Sequence, residues 1–220
     1  MATLKEFTQS TPRPLPVILL TDVSGSMFPE GKIDALNRSM RDMLSTFSDQ
    51  KDMRADIQVC VIAFGGTARI HAELQSAGSV QWVDIPAAGE TPMGEALALA
   101  AEMVEDKAKI PSRAYRPTII LVSDGHPTDD WKAGYDRLLL SERAKKADRL
   151  AMAIGSDADE AMLEQFMSDP KIGVFHANDA AQIRQFFRYV TMSVTQRSKS
   201  ANPNDSQEFP FNDNPDDIKL

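Results

Sequence analysis

Short runs of consecutive apolar residues alternate along this chain with longer stretches whose apolar positions recur every three or four residues. Val17-Ile18-Leu19-Leu20, the β-branched stretch from Ile57 to Phe64, and Thr118-Ile119-Ile120-Leu121-Val122 belong to the first kind. Such runs suit strands buried on both faces of a parallel sheet. Between the first two, Ile33, Leu36, Met40, Met43, Leu44 and Phe47 fall on one face of a helix,. A helix is also expected from Met93 through Ala100, with Thr91 as its N-cap and Pro92 in its first turn,. Further helices are read at 131–146, 159–167 and 180–194, and short strands at 150–154 and 172–175,. Gly65-Gly66 turns the second strand back into Thr67-Ala68-Arg69-Ile70-His71, a short antiparallel return,. Strands alternating with helices imply right-handed βαβ units. The expected fold is therefore α/β: a doubly wound, mostly parallel six-stranded sheet with one antiparallel edge strand and helices on both faces.

The ends differ from the middle. Three prolines up to Pro16 read as an extended lead-in,. From Thr195 the composition changes, becoming poor in aliphatic residues and rich in Asn, Asp, Pro and Ser, which reads as a flexible polar tail. The expected organisation is a lead-in at 1–14, one domain at 15–194 and a tail at 195–220. No internal repeat interrupts it.

Composition narrows the function classes. At 42% hydrophobic residues the chain has material for a real core,. A net charge of -8 argues against nucleic-acid binding, which needs a basic footprint,, and suits a protein that collects cations. The single cysteine, Cys60, lies in an apolar run and reads as a buried thiol,. The start of the chain lacks the apolar stretch of a signal peptide, and no apolar run approaches the ~20 residues of a membrane span,. A cytoplasmic protein without membrane attachment is expected.

In doubly wound sheets ligands bind beyond the carboxyl ends of the strands. Three polar signals fall on that edge: Asp22-Val23-Ser24-Gly25-Ser26 after the first strand, Thr91 at a helix head, and Asp124 after the strand at 118–122. Asp22, Ser24 and Ser26 alternate, so a turning backbone can aim three oxygens inward while Gly25 permits the bend. Thr91 adds a hydroxyl and Asp124 a second carboxylate. An all-oxygen set matches a hard cation, Mg²⁺ first and Mn²⁺ or Ca²⁺ next, and Mg²⁺ would keep a position open to an outside oxygen donor.

Those motifs, together with Thr91-Pro92-Met93-Gly94 and Leu121-Val122-Ser123-Asp124-Gly125, resemble the von Willebrand factor A domain with its metal-ion-dependent adhesion site. The resemblance spans about residues 15–194. It implies a metal held by Asp22, Ser24, Ser26, Thr91 and Asp124, the serines directly and the others directly or through water, with a partner protein's carboxylate at the vacant position. Glu90 departs from the pattern, standing where many relatives carry glycine. Ser123-Asp124-Gly125-His126-Pro127-Thr128-Asp129-Asp130-Trp131 is also similar to stand-alone bacterial domains of the tellurite-resistance TerY type. That likeness implies a cytoplasmic stress or signalling setting, with a protein kinase and a PP2C-type phosphatase as partners.

Other residues are read as follows. Asp129 and Asp130 suit the start of the next helix, where carboxylates favour the positive dipole end. His71 and His176 read as strand-end residues, and His126 as a loop residue at the rim. Met27 and Phe28 follow the metal loop and are candidates for a contact surface. Glu208-Phe209-Pro210-Phe211 reads as a docking peptide in the tail,. Val23-Ser24-Gly25 does not form a hydrolase elbow, and there is no phosphate-loop motif,. A non-enzymatic binding module is expected. The rivals are a metal-dependent phosphatase or hydrolase with Glu90 or His126 as base, and a scaffold with an empty site.

Overall fold

The computed structural model describes residues 12–50 and 54–204. Its centre is a six-stranded sheet in the order β3-β2-β1-β4-β5-β6. The strands are β1 (Arg13–Asp22), β2 (Ala55–Gly65), β3 (Thr67–Ser76), β4 (Thr118–Ser123), β5 (Asp148–Ile154) and β6 (Phe175–Ala177). All neighbours run parallel except β2 and β3. The helices are α1 (Lys32–Ser48), α2 (Met93–Glu105), α3 (Trp131–Leu140), α4 (Glu160–Phe166) and α5 (Ala180–Lys199). The expected α/β architecture, including its antiparallel edge strand, is what the structure shows. The apolar runs in β1, β2 and β4 are buried throughout, from Val17 to Leu20, Val59 to Phe64 and Ile119 to Val122, because these strands lie inside the sheet and carry helices on both faces.

Element bounds depart from the sequence reading in physically informative ways. β1 begins at Arg13 and carries Pro14 and Pro16 within a central strand. Central strands seldom hold proline because it cannot donate to the ladder. Here β4 pairs with β1 only from Val17 onward, and the Pro14 carbonyl faces that side, accepting from Tyr115 N–H at 2.8 Å. The missing donors therefore point where no strand has yet begun. β3 runs on to Ser76, well past His71, with bulges where Val59 and Val61 shift register. The expected helix at 131–146 stops at Leu140, and Ala144–Lys146 forms a separate 3-10 turn. The last strand is Phe175–Ala177 rather than 172–175.

The closing helix also outruns its expected end at Val194, reaching Lys199. Arg197 is buried there. Its guanidinium donates to Thr118 Oγ1 (2.5 Å), the Pro203 carbonyl (3.0 Å) and the Arg116 carbonyl (3.0 Å), and it lies 3.1 Å from Asp148. Burial pushes its pKa down, and Asp148 opposes that shift. Residues 195–204, expected in the polar tail, thus pack against the amino ends of β4 and β5. The docking motif expected at Glu208 to Phe211 lies outside the described residues. Among the described residues no helix is long and apolar enough to cross a membrane.

Candidate metal centre

Beside β1 lie β2 on one side and β4 on the other. The connections leave in opposite directions from this pair, so a crevice opens between the carboxyl ends of β1 and β4. Asp22 is the last residue of β1, and Asp124 follows β4 directly. Thr21 pairs with Val122, which brings the two carboxylates to the same level of the sheet edge.

Asp22 is 0% exposed. Its Oδ1 accepts from the Ser24 amide at 2.9 Å and its Oδ2 from the Ser123 hydroxyl at 2.7 Å. Burial pushes its carboxyl up from 3.8 to about 6, partly offset by the Ser123 and Ser24 hydrogen bonds and reinforced by the charge of Asp124,. The Ser24 and Ser26 hydroxyls stand 2.9 Å apart, and Ser26 Oγ donates to Asp124 Oδ1 at 2.6 Å. A methyl group placed on Gly125 would sit 3.9 Å from both Ser26 Oγ and Thr91 Oγ1. The five residues singled out in the sequence thus gather around one point.

Thr91 arrives there through a close backbone weave. Val23 N–H donates to Phe64 O at 3.0 Å, Ala88 N–H to Val23 O at 2.8 Å, Gly25 N–H to Gly89 O at 2.9 Å and Gly66 N–H to Glu90 O at 2.8 Å. Such contact tolerates no side chain. A Cβ on Gly65 would come within 2.6 Å of Val23 O, and one on Gly89, whose φ is +80°, within 2.5 Å of Gly66 N,. Glu90 lends its carbonyl to this weave, while its side chain is exposed.

The N-cap expectation for Thr91 is corrected. Pro92 holds the cap position of α2, without a side-chain bond. The capping carboxylate is Asp129, whose oxygens accept from Gly94 N–H and Glu95 N–H, both at 2.9 Å. Asp129 therefore caps α2 rather than its own helix, and Asp130 caps α3 by accepting from Ala133 N–H at 3.2 Å. Thr128 adds a reciprocal clasp, its Oγ1 accepting from Thr91 N–H at 3.1 Å and its N–H donating to Thr91 O at 2.9 Å. With the cap supplied from elsewhere, the Thr91 hydroxyl is left to face the site.

Lys32, the first residue of α1, was not anticipated. Its Nζ lies 2.9 Å from Asp124 Oδ2 and 3.4 Å from the Ser26 carbonyl. Only its distance of six residues from Ser26 places it near the motif in sequence, and a lysine opening a helix ordinarily reads as solvated. The two residues after the loop separate: Met27 is buried in the core, whereas Phe28 is 74% exposed. His126 is an exposed partner of Asp159 (3.4 Å), and His176 lies 3.2 Å from Glu160. His71, in the middle of β3, hydrogen-bonds the Val83 carbonyl at 2.9 Å and stacks edge-on to Trp82.

Among the described residues no three His, Cys, Asp or Glu side chains cluster as a metal site. Any cation here would rest on two carboxylates and three hydroxyls. The donors fit that task. Each Asp22 oxygen keeps a lone pair beyond its one hydrogen bond, and every donor is a hard oxygen at a single convergence point.

The chain belongs to the von Willebrand factor type A domain family, whose model matches residues 17–188. Solved structures with the same fold include the ArnB paralog VWA2 from Sulfolobus acidocaldarius, at 22% identity and TM-score 0.59 over 86% of this chain and 46% of that one. A von Willebrand factor type A protein from Catenulispora acidiphila matches at 22% identity and TM-score 0.60, over 83% and 42% of the two chains. Proximal thread matrix protein 1 from the mussel byssus, solved with a zinc-occupied MIDAS motif, matches at 16% identity and TM-score 0.63, over 82% and 48%. The chain thus spans less than half the length of each. No curated protein matches the sequence.

Proposed function

We propose that this chain is a metal-dependent protein-binding module, not an enzyme, in which Asp22, Ser24, Ser26, Thr91 and Asp124 hold a divalent cation, Mg²⁺ in the first place. The observation that carries the reading is the meeting of Ser26 and Thr91 hydroxyls beside Asp124 at the crevice between β1 and β4. Ser24, Ser26 and Thr91 supply neutral donors, Asp124 a charged one, and Asp22 anchors the loop through Ser24 and Ser123. When bound, the ion offers an electrophilic position to an outside oxygen donor, a partner's carboxylate above all. Phe28, exposed next to the loop, adds apolar contact at the rim. The zinc-occupied motif of the mussel protein supports the choice of site. The likeness of residues 123–131 to TerY-type domains favours a cytoplasmic stress-response or signalling assembly, with a protein kinase and a PP2C-type phosphatase as partners.

The test has two parts. Titration calorimetry with Mg²⁺ and Mn²⁺ should show one site in the wild type, absent in Ser26→Ala and Asp124→Ala. Capture from a lysate of the host cell, with Mg²⁺ or with EDTA, should retain a partner only when metal and wild-type site coincide. Partners indifferent to both would sink the mechanism.

A further inference from the structure

Asp124 is served from two sides. Its Oδ1 faces the serine hydroxyls, and its Oδ2 is held by Lys32. The carboxylate is fully buried and Lys32 is 19% exposed, so the pair is largely shielded from solvent. The route that brings Lys32 here is specific. Glu30 and Gly31 both take left-handed backbone conformations, φ 61° and 68°, which turn the chain from the metal loop into α1. At the far side Gly155 has no side chain, and a Cβ there would lie 3.7 Å from Nζ. The ammonium thus ends between Asp124 and Gly155, at the carboxyl ends of β4 and β5.

Given the cage proposed above, on which this inference rests, Lys32 and a divalent ion draw on the same carboxylate. Without Lys32 the two cage aspartates carry two negative charges; with it the site carries one. We propose that Lys32 sets the cation affinity of the cage, weakening divalent-ion binding while leaving the loaded site more positive and so more receptive to an acidic ligand. Two positive charges on the ion against one on the ammonium, a few ångströms apart, repel enough to matter on the order of tenfold even when solvent screens them.

The deciding experiment is Mn²⁺ and Mg²⁺ titration of wild type, Lys32→Met, Lys32→Gln and Lys32→Arg, with melting curves of each in EDTA and in excess Mg²⁺. The neutral variants should bind Mn²⁺ on the order of tenfold more tightly, and Lys32→Arg should bind like the wild type. In EDTA the neutral variants should melt lower, because Asp124 loses its counter-charge, and they should gain more on Mg²⁺ addition than the wild type does. Wild-type binding with unchanged or weaker binding in both neutral variants would overturn the inference while leaving the cage intact. No binding by any of the chains would overturn the cage itself, and this inference with it.

Discussion

Asp22 combines full burial with neutral hydrogen-bond donors, and that combination has a measurable cost. The rise of its carboxyl pKa from 3.8 to about 6 corresponds to about 3 kcal/mol against the ionised form in the folded chain. Asp22→Asn removes the charge while keeping the geometry. The amide oxygen still accepts from Ser24 N–H, and the new NH₂ group donates to Ser123 Oγ, whose own hydroxyl lies 3.4 Å from the Gly125 carbonyl. In EDTA at pH 8 the variant should be more stable by about 1–3 kcal/mol, which for a domain of this size is roughly 3–10 °C in Tm. The sign follows from linkage. Asp22 binds its proton more tightly folded than unfolded, so the wild type loses stability as pH rises from about 4 to about 6,. The advantage of the variant should accordingly be full above pH 6 and vanish near pH 4. In excess Mg²⁺ the order should reverse, because the wild type gains from binding and Asp22→Asn does not. Thermal melts over pH and metal give every comparison. An Asp22→Asn chain that melts at or below the wild type in EDTA at pH 8 would refute the claim that this carboxylate is held at a cost.

Gly134→Ala sets a methyl group against the Gly94 backbone at the α2–α3 contact, and chemical denaturation should show a loss of about 2–3 kcal/mol; an unchanged midpoint would mean the helices separate easily. Asp129→Ala takes the acceptor from two α2 amides, with an expected loss of about 1–2 kcal/mol and faster hydrogen exchange at Gly94 and Glu95. Arg197→Met breaks the bonds that tie the end of α5 to Thr118 and Pro203, and should cost about 3 kcal/mol and open residues 200–204 to limited proteolysis. Phe28→Ser, at an exposed site, should leave the unfolding free energy within about 0.5 kcal/mol of wild type while weakening partner capture; unchanged capture would remove Phe28 from the contact surface.

The sequence revealed the sheet where burial is two-sided and obscured it where burial is partial. β1, β2 and β4 announce themselves because every apolar residue of their runs is inside. β3 was read only to His71, although Ala68, Ile70, Ala72 and Leu74 keep one apolar face as far as Ser76; that face is only partly buried, and bulges shift its pairing with β2,. The end of α5 was lost for a related reason. Arg197 and Ser198 are polar yet buried, and a buried arginine bonded to the Thr118 hydroxyl and to the carbonyls of Arg116 and Pro203 has no composition signal to set it apart from a tail.

The candidate site divides along the same line. Asp22, Ser24, Ser26, Thr91 and Asp124 were legible because each follows a strand or precedes a helix, and the topology carries all such positions to one edge. What that edge does with them depends on groups whose roles are tertiary. Asp129 relieves Thr91 of capping, Ser123 and the Ser24 amide hold Asp22 in a dry setting, and Lys32 reaches Asp124 from the head of α1. The two carboxylates are consequently unequal. Asp22 is buried among neutral donors and bears its desolvation in the fold, whereas Asp124 is matched by the Lys32 ammonium. In the proposed cage the hydroxyls and carboxylates are already held by one another and by the backbone, and Lys32, a residue outside the motif, is where its strength would be adjusted.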